Sequence, residues 1–264
     1  MSLLRAPVDG IELEYEVRGT GEPVLLIHGG AVAGTFAPLL DEPALAGYRL
    51  IRYHRVGYAG SDRVAGPVTV GRQAAHCLAL LRHLDAEPAH VVGNSSGANI
   101  ALQLALDHPS AVRSLALLEA ALLAVPTGPF AGEAMGHFHS GDAAAAVDVW
   151  LRGVAGAGYR AVLDRALPGA FEQAVGDADT FFGQELPAVR EWAFGPDEAA
   201  RIAQPALAVL GGRSNEVTPV FGKRHDLLMK WLPDVRPFVL AGATHLMQVQ
   251  NPAGVAEGLA RHMR

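Results

Sequence analysis

One stretch constrains this 264-residue chain more than any other: residues 89–106, reading AHVVGNSSGANIALQLAL. A short apolar run, Ala89-His90-Val91-Val92, enters the turn Gly93-Asn94-Ser95-Ser96-Gly97. Beyond it, Ile100 and Leu104, and Leu102 and Leu106, recur at helical spacing. The pattern predicts strand, sharp turn and helix, with Ser95 at the apex. Glycines flank the serine because the backbone there is too crowded for side chains. The hydroxyl is pushed out beyond the sheet edge, and the Ser96 amide faces the place where an oxyanion would form.

The rest of the chain supplies a sheet around that turn. Residues 11–17 alternate apolar residues with Glu and read as an edge strand. Residues 23–27 form a continuous apolar strand that ends in His28-Gly29-Gly30, and 48–53 form another. Residues 69–84 carry helical spacing through Ala74, Cys77, Leu78, Leu81 and Leu84. Residues 112–118 make the next strand, which runs into Glu119. From 121 to 204 the pattern changes to short helical stretches (143–151, 159–167, 187–194) separated by Gly, Ala and Pro, with no strand-like run. The sheet resumes at 205–210, followed by a helix over 220–232, a last strand at 235–240, and a closing helix over 252–263. Strands alternating with helices imply an α/β fold whose mostly parallel sheet is covered on both faces. The expected organisation is a core of residues 1–120 and 205–264 with a helical lid over 121–204.

Composition narrows the function. A net charge of −6 argues against nucleic-acid or anionic-membrane partners. No apolar run approaches the roughly 20 residues that span a bilayer. Residues 1–7 lack the apolar core of a signal peptide, so a cytoplasmic location is expected. Cys77, the single cysteine, permits no internal disulfide and reads as a small hydrophobe on a buried helix face. The expected partner is a small-molecule substrate, with a homodimer left open.

Strand-His-Gly-Gly, strand-G-x-S-x-G-helix and a late G-x-x-H (Gly242 to His245), in that order, resemble the α/β-hydrolase superfamily over about residues 8–120 and 205–264. The resemblance implies the α/β-hydrolase fold and nucleophilic catalysis without a cofactor or metal. It places the nucleophile at Ser95, the base at His245, and the oxyanion donors at the Gly30 and Ser96 amides, with Ala31 as the fallback for Gly30. A hydroxyl is a poor nucleophile at neutral pH and needs an imidazole to take its proton.

The acid departs from the common pattern. The usual aspartate position, in the loop after residues 205–210, holds Asn215, whose amide cannot stabilise an imidazolium as a carboxylate does. Two carboxylates remain open. Glu119 ends the strand after the nucleophile, the place used by some haloalkane dehalogenases and zearalenone-type lactonases. The lactonases also share the G-x-S-S-G-A turn seen at 93–98. Glu216 is one residue from the usual position. A serine at the turn rules out the dehalogenase and epoxide-hydrolase reaction, which needs a carboxylate nucleophile there.

Arg52, His54 and Arg55 are expected to brace the loop after their strand, and residues 57–61 read as a turn without a phosphate site. Adjacent His137 and His139 lack the carboxylates of a metal cluster. Trp150, Trp192, Phe181 and Phe182 are expected to form the lid's core, some of them lining the pocket, and Met247 to face that pocket. The sequence therefore predicts a serine hydrolase for a hydrophobic ester or lactone. The same triad also serves carbon–carbon bond hydrolysis and perhydrolysis, and the fold is reused for cyclase, lyase and binding roles.

Overall fold

The computed structural model describes residues 3–264. The chain opens with a hairpin, β1 (Leu4–Val8) and β2 (Ile11–Arg18), turned by Asp9-Gly10 with φ of 48° and 82°. Asp-Gly supplies the two positive φ values that a tight hairpin turn demands. β2 is therefore not an edge strand, as its alternation had predicted: β1 pairs along it from Val8↔Ile11 to Leu4↔Tyr15.

The elements that follow are β3 (Glu22–Ile27), β4 (Tyr48–Tyr53), α1 (Val70–His83), β5 (Ala89–Asn94), α2 (Ser96–Asp107) and β6 (Val112–Leu118). Thr69 caps α1 by accepting from Arg72 N at 3.1 Å. After β6 come α3 (Pro129–His139), α4 (Ala143–Ala155), α5 (Tyr159–Ala166) and α6 (Ala170–Gly176). A π-helical turn at Asp179–Glu185 leads into α7 (Leu186–Arg190) and α8 (Pro196–Ala199). The sheet resumes with β7 (Ala206–Gly211), followed by α9 (Ser214–Val217), α10 (Val220–Trp231), β8 (Val235–Leu240), α11 (Met247–Gln250) and α12 (Pro252–Met263). No helix among the described residues is long and apolar enough to cross a membrane.

The eight strands lie in the order β1-β2-β4-β3-β5-β6-β7-β8, antiparallel for the first two pairings and parallel thereafter. The chain steps from β3 outward to β4, then returns past β3 to begin β5, so strand order reverses between β3 and β5. Loops at such a switch point diverge and leave a crevice at the carboxyl edge of the sheet. Ile27 pairs with Gly93, Asn94 with Leu118, Leu118 with Val209, and Gly211 with Leu240. The strand ends thus come out level, and the segments after β3, β5, β6, β7 and β8 share one edge.

Apolar clusters cover both faces of the sheet, one built on α1 and α2, the other on α12 and the end of β8. A third joins the helical insertion between β6 and β7 to the carboxyl edge: Trp150, Phe181 and Phe182 pack with Val32, Phe221 and Leu246. Trp192 is not part of it. Its ring stacks on Phe194 and its Nε1 donates to Gln103 Oε1 on α2 at 2.7 Å, so it belongs to the main core. Cys77 is fully buried, 3.0 Å from the Tyr53 hydroxyl, and burial pushes its thiol up to about 12.

Candidate active site

The turn after β5 is as cramped as its glycines imply. A side chain at Gly93 would stand 2.4 Å from Gly97 O, and one at Gly97 only 2.2 Å from Ile27 O. Between them Ser95 adopts φ 54°, ψ −120°, a strained conformation for a residue with a Cβ. The strain is held from β6: Ser95 N donates to Leu118 O at 2.9 Å, and Asn94 Nδ2 to the same oxygen at 3.2 Å. Ser95 faces a narrow cavity of about 50 Å³ that His245, Gly30 and Ser96 also line.

His245 sits in the loop after β8, stacked on Phe221 at 4.4 Å between ring centres. Its Nδ1 lies 2.6 Å from Glu119 Oε2, and both side chains are buried. Glu119 holds φ 48° directly after β6, and its other oxygen accepts from Gly211 N, at the end of β7, at 2.8 Å. The carboxylate has no hydrogen to give, so Nδ1 carries the proton and Nε2 is left as an acceptor. Among the described residues no hydrogen bond joins Ser95 Oγ to His245, although both line the cavity; such contacts commonly tighten only with substrate in place.

Glu216, the other open acid, is exposed and bonds Arg213 Nε at 2.9 Å. Asn215 accepts from Gly222 N at 2.9 Å, satisfying one of the free amides in the first turn of α10. Neither contacts His245. Gly30 N has no acceptor among the described residues, and Ser96 N, first in α2, has none within the helix. Ala31, at φ 65°, does not line the cavity. Met247 is fully buried in the core behind β8 rather than facing the cavity, which Leu246 lines instead. His137 and His139 lie two apart on α3, so their rings leave the helix in different directions.

A second buried carboxylate escapes the sequence reading. Glu185, at the end of the π turn, is fully buried and lines the cavity. Its oxygens receive Arg55 Nη1 at 2.9 Å, Arg55 Nη2 at 3.1 Å, Ser96 Oγ at 2.6 Å, and the Tyr58 hydroxyl. Arg55 also donates to Gln73 Oε1 at 2.6 Å and Gly29 O at 2.8 Å. Burial would lower the Arg55 pKa, but Glu185 and the tyrosines around it more than offset that and hold it above its ordinary value. Behind it, His28 accepts Arg55 N–H at Nε2 (3.0 Å) and so donates from Nδ1 to Gly29 O (2.7 Å). Burial first, then the Arg55 charge, drives the His28 pKa well down. Arg52 and His54 brace β4 against β2 through Glu16 (2.9 Å) and Glu14 (2.6 Å).

A family model described as the alpha/beta hydrolase fold matches residues 22–148, from β3 into α4. The chain has the α/β-hydrolase fold. The matched segment includes Gly30, Ser95 and Glu119 and stops before His245. Over 112 residues the chain is 33% identical to the 2-hydroxymuconate semialdehyde hydrolase of Pseudomonas putida, covering 41% of this chain and 40% of that one. The chain spans about two-fifths of the length of the curated relatives it matches, 40% and 42% for two of them. A solved N-acyl homoserine lactone degrading enzyme superposes with a TM-score of 0.74 at 26% identity, over 97% of this chain and 98% of that one. A thermophilic esterase from Thermogutta terrifontis gives a TM-score of 0.83 at 18% identity, over 99% and 97%. That last likeness concerns the fold alone.

Proposed function

We propose that this α/β hydrolase is a serine hydrolase of hydrophobic small-molecule esters or lactones, with Ser95, His245 and Glu119 as its triad. The observation that carries the reading is the Glu119–His245 contact of 2.6 Å beside a strained serine in the same cavity. Ser95 Oγ attacks the acyl carbonyl while His245 Nε2 takes its proton, and Glu119 stabilises the imidazolium. The Gly30 and Ser96 amides receive the oxyanion. His245 then protonates the leaving alkoxide, which in a lactone stays tethered to the acyl chain. Water, deprotonated by His245, attacks the acyl-enzyme and releases the acid. The cavity's Phe130, Trp150, Leu151, Val154, Phe181 and Leu186, all from the insertion, favour an apolar acyl group and suit the insertion to a lid's role.

A panel of p-nitrophenyl esters and acyl lactones tests this, together with labelling by a fluorophosphonate. Turnover and labelling are expected in the parent protein and lost in Ser95→Ala, with the melting temperature kept. Undiminished turnover in Ser95→Ala overturns the triad. The resemblance to a semialdehyde hydrolase over two-fifths of the chain makes a vinylogous diketone worth including. Cleavage of that compound alone would move the reading to carbon–carbon bond hydrolysis with the same nucleophile.

A further inference from the structure

Among the described residues the buried arginines have carboxylate partners, with one exception at the cavity. Arg55 has Glu185, and Arg52 has Glu16. Arg224, on the second turn of α10, is 3% exposed and lines the same cavity as Ser95 and His245, yet makes no salt bridge among the described residues. Its Nε and Nη2 donate to Val125 O at 3.2 and 2.8 Å, and Nη2 also donates to Thr127 Oγ1 at 3.0 Å. These neutral acceptors fix the plane of the guanidinium without compensating its charge, and Nη1 is left without a protein acceptor. Glu119, the acid that acts on it from a distance, already gives one oxygen to His245 and the other to Gly211 N.

An uncompensated buried charge is costly. Burial outweighs the distant help of Glu119 and lowers Arg224 to about 10, which still leaves it cationic at neutral pH. Leu123, Val220 and Phe221 line the same cavity, and its apolar, buried setting strengthens any ion pair made there. The Thr127 and Thr218 hydroxyls on the same wall offer further donors. With Nε and Nη2 engaged, Nη1 remains to donate to an anion, and one positive charge neutralises a carboxylate but only half of a phosphate dianion.

We propose that the substrate of this cavity carries a carboxylate, and that Arg224 is the residue that binds it. The proposal builds on the reading of the cavity as the acyl site and names the chemical class that reading leaves open: an ester or lactone whose acyl chain bears a free acid group.

The test uses the full chain with Ser95→Ala, so that ligand is bound and not consumed, and a matched pair of probes, monomethyl adipate and dimethyl adipate. Calorimetry should show the monoacid binding at least ten-fold more tightly than the neutral diester. Adding Arg224→Met should bring the ratio toward one, and Arg224→Lys should restore part of it. A merely structural role for Arg224 would lower the melting temperature without changing the ratio. Equal binding of the two probes, binding of neither, or a preference that survives Arg224→Met overturns the proposal. Turnover of the same pair by the parent protein keeps the two readings apart. Preference in binding without hydrolysis would sink the esterase reading alone, and hydrolysis without preference would sink the role of Arg224 alone.

Discussion

Glu119 and Glu185 are the same residue in nearly the same burial, at one sheet edge, and the structure uses them in opposite ways. Glu119 faces an imidazole, a ring that can carry a proton on one nitrogen or on both. Glu185 faces a guanidinium, which never gives up its proton. One carboxylate is therefore placed to respond to a moving proton, whereas the other holds permanent charge in place. The backbone reflects the division. Glu119 is fixed by its own strand end and by Gly211 N, whereas Glu185 reaches from the insertion to Arg55, 130 residues away, and to Ser96 beside Ser95.

That contrast breaks at once if Glu119→Gln leaves turnover intact. The expected outcome is a fall in kcat of roughly 10⁴, as when a triad acid is replaced by its amide, with little change in melting temperature. Glu185→Gln should act mainly on stability, leaving Arg55 buried without a counter-charge at a cost of about 3–5 kcal/mol, read from denaturant unfolding. A double change, Glu185→Gln with Arg55→Met, should recover part of that loss, because the charge that needed compensation is gone. If Glu185→Gln instead abolished turnover at unchanged stability, the static role would be wrong.

The same comparison has a pH signature. His28 lies beneath the Arg55 cluster, and its pKa is driven well below the ordinary 6.5. The unfolded chain takes up a proton near 6.5 that the folded chain refuses. Stability is therefore full above 6.5 and lost as pH falls below it, by about 1.4 kcal/mol per pH unit for this group. Thermal melts from pH 7.5 to 5.5 should show the decline, and His28→Gln should flatten it by about one proton. The smallest effect is expected from Asn215→Asp. Because Asn215 serves α10 and not His245, and Asp keeps the accepting oxygen, kcat should stay at the parent's value and stability should move by less than about 1 kcal/mol.

The elbow and the late histidine were legible because their signals are short: two glycines around a serine, and one loop after the last strand. The contact of Glu119 with His245 was legible only as one of two alternatives, since spacing along the chain cannot say which strand end a ring in another loop will face. Glu185 was not legible at all. In Phe181-Phe182-Gly183-Gln184-Glu185 it resembles a surface residue, and its buried partner lies in a different part of the chain. The usable signal was Arg55, a cation in an otherwise apolar setting that had to find an anion somewhere. β1 was missed although Asp9-Gly10 announces a hairpin, and Trp192 was grouped by its place in the chain when its own neighbours decided its packing.

The contact between Gly97 and Ile27 O has a consequence for how such a protein can change over time. The turn bearing Ser95 and the end of β3 touch backbone to backbone, with no side chain between them to vary. The placing of Ser95 relative to the segment that follows Ile27 is consequently out of reach of ordinary substitution. Trp150, Phe181 and Leu186 meet the cavity and the carboxyl edge through side chains, which single substitutions can exchange. Lineages of such a protein can reshape the cavity by rewriting the insertion while the geometry of the turn is inherited unaltered.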